Sequence, residues 1–351
     1  LDKLPASTIA MKYLSCLTSI VCAFLPGGSG ENRGSDRLIL YHLDLTCISA
    51  RFADLLHWMH RNHPHEEPQI MSSATNSQLA IRTRSWMFTP ATRPDRFANA
   101  AKSQVDVLIV DLEDAVQPDE KAAARGNVRT LLDAADNTAL PPLAIRINSL
   151  LTRFGLDDLI MLLDAKHAPQ FVLLPKIESP EQVLQIDTLL TAAGKTTWLV
   201  PMIESARGLS VVEPIAQSCS RVAALMFGAA DYASDVKAQP EALALQLARC
   251  GVAAACAQAG VLAIDAPCFA LHDAERLHAD LTFAAANGFE AKAAIHPSHI
   301  ESINTTFTPS AERVTWAKRV VEAAEKGAGT VDGRMVDEAI AREARRVLAA
   351  A

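Results

Sequence analysis

No block of basic residues occurs anywhere in this 351-residue chain, whose net charge is −7. A phosphate backbone would find little to grip, so nucleic acid is not expected as a partner. The seven cysteines are odd in number and form no CxxC pair, which argues against a disulfide framework or a structural zinc site. Cys219, Cys250, Cys256 and Cys268 read instead as small core residues in a reducing compartment, and the cytoplasm is the expected location. The apolar stretch Tyr13–Leu25 is too short to cross a bilayer. It follows Lys12 as a signal-peptide core would, but no clean small-x-small cleavage site comes after it. No membrane partner is expected. Phosphate-loop, nucleophile-elbow and dinucleotide-binding motifs are also missing.

What is present divides into two textures. Residues 1–80 hold five of the ten histidines and three of the seven cysteines, with no sustained periodicity. They are expected to be a disordered or non-native N-terminal extension. His57, His60, His63 and His65 offer metal ligands there without a scaffold to fix them, so a solvated tail is the plainer reading. Met71, just before the polar run into the first apolar segment, is the expected native start.

Beyond residue 80, eight short apolar runs alternate with helix-like stretches: Ser85–Pro90, Val107–Glu113, Ala144–Asn148, Phe171–Lys176, Trp198–Glu204, Ala224–Gly228, Leu262–Pro267 and Ala291–Pro297. Continuous apolar runs read as strands buried on both faces, and alternation with helices implies parallel pairing. Eight such units predict a closed (β/α)8 barrel over residues 81–308. The helices are expected over Arg93–Ser103, Pro118–Leu132, Asp157–Asp164, Pro180–Ala193, Leu209–Ser218, Glu241–Ala259 and Asp273–Asn287. Residues 309–351 read as a closing helix over Pro309–Lys326, a glycine break and a small helix over Met335–Ala350, together a helical lid.

Barrel chemistry gathers where strands end and the following loops begin. Arg93, Glu113, Asp114, Arg146, Lys176, Glu204, Asp231, Asp265 and His296 stand at or just beyond those ends. Glu204 and Asp231, on consecutive units, supply hard oxygen ligands in a number that suits Mg²⁺ completed by water and substrate. The alternative is that Asp231 caps a helix while Glu204 pairs with Arg207. Asp235 competes as a ligand. Arg146, amid apolar neighbours, needs an anion, either Glu113 or Asp114 or a substrate carboxylate or enolate. Lys176 suits a Schiff base or a salt bridge, and His296 a base or an orienting group.

Arg84-Ser-Trp-Met-Phe-Thr-Pro90, Asp111-Leu-Glu-Asp-Ala-Val116 with Lys121 and Arg125, and Arg146-Ile-Asn148 resemble the citrate lyase β-subunit-like family of coenzyme A lyases. Leu174-Pro-Lys176, Met202-Ile-Glu-Ser-Ala-Arg-Gly208, Phe227-Gly-Ala-Ala-Asp231 and Ala294-Ile-His-Pro-Ser298 continue the resemblance in order, over about residues 83–340. It implies a Mg²⁺ site at Glu204 and Asp231, and Arg146 on the substrate, a small β-hydroxyacyl-CoA thioester. That thioester would be cleaved to acetyl-CoA and a 2-keto acid. Citramalyl-CoA is the first expectation, beside malyl- and citryl-CoA. Glu113 and Asp114 would steady Arg146 and metal-bound water, and Arg93, Lys121 and Arg125 would meet the CoA phosphates unless they are solvated helix-face charges. In such lyases a C-terminal lid carries an aspartate into a neighbouring subunit, which points to Asp337 as base and to a homo-oligomer, a trimer or a multiple of one. Ala91, Lys237-Ala238 and Phe289-Glu-Ala-Lys292 depart from the family pattern near the thioester side. The competing readings are a β subunit acting on a carrier-bound citryl thioester, a metal aldolase on a free hydroxy-keto acid, a Lys176 Schiff-base aldolase and a thioesterase.

Overall fold

Strand-forming runs that are apolar on both faces, apart from a few charged and hydroxyl residues, cannot leave a face in water, and here they close on themselves. In the computed structural model, which describes residues 83–134, 140–325, 327 and 329–351, eight parallel strands form a barrel in sequential order. They are β1 (Ser85–Pro90), β2 (Val107–Asp111), β3 (Leu143–Arg146), β4 (Phe171–Leu174), β5 (Trp198–Ile203), β6 (Ala224–Phe227), β7 (Leu262–Asp265) and β8 (Ala291–Ala294). Pairing of Ser85 with Lys292 and Met87 with Ala294 joins the last strand to the first. The expectations for residues 1–80 lie outside the described residues. Among the described residues no helix is long and apolar enough to cross a membrane.

The barrel is filled, not hollow. Trp86, Ile109, Phe171, Leu173, Val200 and Met226 meet inside it, and the Trp86 and Phe171 rings lie 4.9 Å apart. Each such side chain contributes roughly 1.5–3 kcal/mol by leaving water. A second, larger cluster joins the outer strand faces to the helices.

Several helices differ from expectation for local reasons. After β1 a 3-10 turn, Pro94–Arg96, precedes α1 (Phe97–Lys102). α2 (Lys121–Asp133) begins three residues later than expected. α3 (Arg153–Asp164) begins four residues earlier, where the Thr152 hydroxyl accepts from the Gly155 N–H. After α4 (Pro180–Ala192), the expected 209–218 helix is two short ones, α5 (Ala206–Ser210) and α6 (Val212–Ala216). β6 runs straight into an unforeseen helix, α7 (Ala229–Asp235). α8 (Leu243–Ala259) and α9 (Ala274–Ala286) follow, then a further unforeseen helix, α10 (Ile300–Phe307).

After α11 (Ala311–Glu325), the expected glycine break is a hairpin, and the expected helix over 335–350 begins three residues late. Strands β9 (Gly329–Val331) and β10 (Arg334–Val336) pair antiparallel around Asp332-Gly333, both at positive φ. α12 (Glu338–Ala349) then starts where the Asp337 carboxylate accepts from the Ile340 N–H. Asp-Gly between alternating residues is the hairpin signal that periodicity alone overlooks. Ala317, Val320, Val336 and Ala344 give this terminal unit a small core of its own.

Gly155 permits the close approach of α3 to the β3–α3 loop, because a methyl group there would overlap the carbonyl oxygens of Ser149 and Asn148. Gly155→Ala is expected to lower stability by about 1–3 kcal/mol. An unchanged urea midpoint would show that this contact is not tight.

Candidate active site

The acidic groups converge at the strand ends as the alternation implies, but one anchor was overlooked. Arg146, last in β3, is buried, and its principal partner is Asp111, last in β2 and paired with it in register. Arg146 Nε donates to Asp111 Oδ1 at 2.7 Å and Nη2 to Oδ2 at 2.6 Å. Glu113 and Asp114, the expected partners, stand at 3.1 and 3.5 Å from Nη1. The Phe88 ring covers the guanidinium, 4.7 Å from Cζ. Burial opposes the arginine's charge, but Asp111 and Glu113 hold its pKa above the ordinary value. Strand pairing places Asp111 and Arg146 side by side, a signal available wherever two charges end adjacent parallel strands.

Lys176 follows β4 in a left-handed backbone conformation, φ +56°. That turn aims its N–H at Glu204 Oε2, at 2.8 Å. Its ammonium donates to Glu113 Oε1 at 2.6 Å and lies 3.7 Å from Asp231 Oδ2 and 3.8 Å from Asp114 Oδ1. Desolvation works against this charge, yet the Glu113 contact raises the Lys176 pKa well above the usual lysine value. A Schiff-base nucleophile must be a free amine, so the salt-bridge reading of Lys176 prevails.

Glu204 is buried immediately after β5. Burial, then repulsion from Glu113, pushes its carboxyl up to about 8 against the pull of Arg146. Burial raises the Glu113 carboxyl too, against Arg146 and Lys176. Asp231 lies not at a strand end but in the first turn of α7, half-exposed. It does not cap that helix, whose N-cap is Gly228, and Arg207 turns to Glu178 rather than to Glu204. Asp235 is occupied as acceptor of the Ala206 N–H at 2.8 Å.

A divalent ion fits this arrangement on three grounds. Glu113 Oε2 is buried and accepts no hydrogen bond, being close to Arg146 Nη1 but off the line of its N–H bonds. A methyl group on Gly228 would come within 2.5 Å of Glu204 Cγ and 2.6 Å of Oε1, so this glycine clears the space that Glu204 fills. Glu204 and Asp231 both repel each other's charge and face the same lysine. Among the described residues no group of three or more histidine, cysteine, aspartate or glutamate side chains forms a complete protein cage. Two carboxylates completed by water and substrate are the usual way to hold Mg²⁺.

The other expected residues fall elsewhere. Lys121 is buried, and its ammonium donates to Leu112 O, Glu113 O and Asn148 Oδ1 at 2.6–2.8 Å. Those bonds use all three of its donors, which corrects its assignment to CoA phosphates. Arg125 donates through Nε to Asp158 at 2.9 Å and lies 3.7 Å from Asp157, while its buried Nη2 has no hydrogen-bond partner. Arg93 is exposed and forks onto Asp95 at 2.7 and 2.8 Å. Asp265 is sealed in a buried network with Arg249 and Lys292, with Asp280 closing it from α9. His296 is half-buried and serves the 3-10 turn Pro297–His299, accepting from the Ser298 N–H at 3.2 Å. Asp337 is the N-cap of α12, and its carboxylate accepts from the Ile340 N–H at 2.9 Å. A cleft of 430 Å³ opens beside Phe88, lined by Thr89, Arg96, Asn99, Ile295 and His296.

The profile of the HpcH/HpaI aldolase/citrate lyase family matches residues 84–297. An L-malyl-CoA/β-methylmalyl-CoA lyase of Cereibacter sphaeroides is 33% identical over 76% of this chain and 93% of its own. A citrate lyase β subunit of Leuconostoc mesenteroides is 31% identical over 76% of this chain and 92% of its own. Among solved structures, RipC of Yersinia pestis is 43% identical with TM-score 0.59, over 67% of this chain and 99% of its own. CitE of Mycobacterium tuberculosis, crystallised with magnesium, acetoacetate and coenzyme A, is 32% identical with TM-score 0.65, over 77% and 98%. With the barrel and its acidic mouth in place, these likenesses show that the chain belongs to the HpcH/HpaI aldolase/citrate lyase family, a family of carbon–carbon lyases.

Proposed function

We propose that this enzyme cleaves a small β-hydroxyacyl-CoA thioester of the malyl, citramalyl or citryl type, with Mg²⁺, to acetyl-CoA and a 2-keto acid. The observation that carries the reading is a buried guanidinium whose Nη1 edge faces a cluster of carboxylates that one lysine only partly neutralises. Glu204 and Asp231 would hold the ion, with Glu113 and Asp114 on its water. Bound there, Mg²⁺ supplies Lewis-acid polarisation of substrate oxygens and lowers the pKa of the substrate hydroxyl. Arg146 orients the thioester and stabilises negative charge as it develops on the carbonyl oxygen. A base, Asp337 of a neighbouring copy in a homo-oligomer, takes the hydroxyl proton. The electrons of the broken carbon–carbon bond pass to the acetyl-CoA enolate, whose carbon is then protonated. The cleft beside Phe88 supports a place for the thioester arm, with Arg96 in its wall and Arg93 on the same loop. The cytoplasm is the compartment that suits this chemistry and these free thiols.

Keto-acid release from malyl-, citramalyl- and citryl-CoA, with and without Mg²⁺, tests the reading. Glu204→Gln and Asp231→Asn are each expected to remove several kcal/mol of transition-state stabilisation, on the order of 10³-fold in kcat/KM. Full activity and unchanged Mg²⁺ dependence in either variant would sink the site. Activity confined to a carrier-bound citryl thioester would favour a subunit role, and cleavage of a free hydroxy-keto acid an aldolase.

Metal binding should also be linked to protons. Glu204 keeps its proton until pH rises through about 8, and only the carboxylate binds the ion. Binding at pH 7 is therefore expected to release protons, and affinity to weaken as pH falls from 8.5 to 6.5. Titration calorimetry in buffers of different ionisation enthalpy measures this. A heat independent of the buffer would show that Glu204 carries no proton before the ion binds.

A further inference from the structure

We propose that Asp111 is a positioning residue for the lyase reaction, fixing Arg146 so that a single edge, Nη1, meets the substrate. The inference rests on the reading of Arg146 as the group that stabilises the enolate. Asp111 is itself 1% exposed and lies on the far side of Arg146 from the carboxylates at Nη1. Its Oδ1 accepts from Arg146 Nε at 2.7 Å and from the Glu113 N–H at 2.9 Å. Its Oδ2 accepts from Arg146 Nη2 at 2.6 Å and from the Ala115 N–H at 3.2 Å. All four acceptor positions are therefore filled.

Two consequences follow from that pattern. The arginine loses the freedom of a long side chain, since its fork is held on one edge and the Phe88 ring lies against one face. The loop bearing Glu113 and Asp114 is tied to the same carboxylate, so guanidinium and acids keep one register. Asparagine has the shape of aspartate but cannot do this work. Whichever way its amide turns, an NH2 group faces one Arg146 donor and one backbone donor.

Steady-state cleavage of the fastest thioester in the panel above separates positioning from mere support. Asp111→Asn is expected to lower kcat on the order of 100-fold, as small misplacements of a reacting group do, with KM changed within about threefold. In an Arg146→Ala background the same change should add less than about twofold, because the residues act as one unit. Wild-type kcat in Asp111→Asn, or an undiminished loss in the Arg146→Ala background, would overturn the proposal. Should Asp111→Asn fail to fold, Asp111→Ser, which keeps an acceptor for a backbone N–H and drops the fork, carries the same expectations. Wild-type activity in Arg146→Ala would instead overturn the role given to Arg146, and failure of the wild-type protein to cleave any thioester of the panel would overturn the lyase reading.

Discussion

Two carboxylates, Glu113 and Glu204, are buried at the mouth of an apolar barrel, and the surrounding structure is arranged around that fact. A buried charge without partners is strongly disfavoured, and removing one partner of such a set typically costs several kcal/mol. Here the partners are few and directional. Arg146 and Lys176 supply the positive charge, and the Lys176 N–H supplies the hydrogen bond. Five acids, Asp111, Glu113, Asp114, Glu204 and Asp231, still outnumber these two cations. Burial first, and then this imbalance, displaces the Glu204 carboxyl upward, and a divalent cation is the species that would relieve the repulsion.

The barrel contains a second buried ion system that behaves differently. Asp265 sits between Arg249 and Lys292, and Lys292 also reaches Asp280 and Ala266 O. The Arg249 guanidinium lies 4.4 Å from the Phe283 ring centroid. Here two cations meet two anions, and the Asp280 carboxyl is held below its usual value, its Lys292 and Arg249 contacts outweighing desolvation. Such a network is satisfied and needs no further ion. The contrast between a balanced cluster on the helix side and an unbalanced one at the mouth separates structure from chemistry more cleanly than strand position does.

Much of this was legible in the residues. All-apolar runs fixed the strands because burial on both faces leaves no other pattern, and β1 matches its run from Ser85 to Pro90. The other seven run on past the strand by one to three residues in sequence, where Glu113, Lys176 and Glu204 leave the ladder to form the site. Composition cannot report that departure, since it is decided by hydrogen bonds to side chains. Asp111 was hidden for a related reason. It counted as a strand residue, although parallel register sets it directly beside Arg146. Lys121 misled because a cation near a barrel mouth looks available until its partners are known. The hairpin around Asp332-Gly333 occupies what read as a plain glycine break before the terminal helix.

Lys176 shows how backbone and side chain share one task. A non-glycine residue in the left-handed region carries strain of about 1 kcal/mol or more, which glycine would avoid. Glycine would preserve the N–H directed at Glu204, but not the ammonium that joins Glu113, Asp114 and Asp231. Asparagine tolerates the conformation and lacks the charge. Only lysine or arginine provides both the charge and the reach, and arginine's planar fork suits bidentate pairing rather than several acids around a point. The strain is therefore explained by electrostatics. The residue that turns the chain must also be the one that keeps the acids together before any metal arrives.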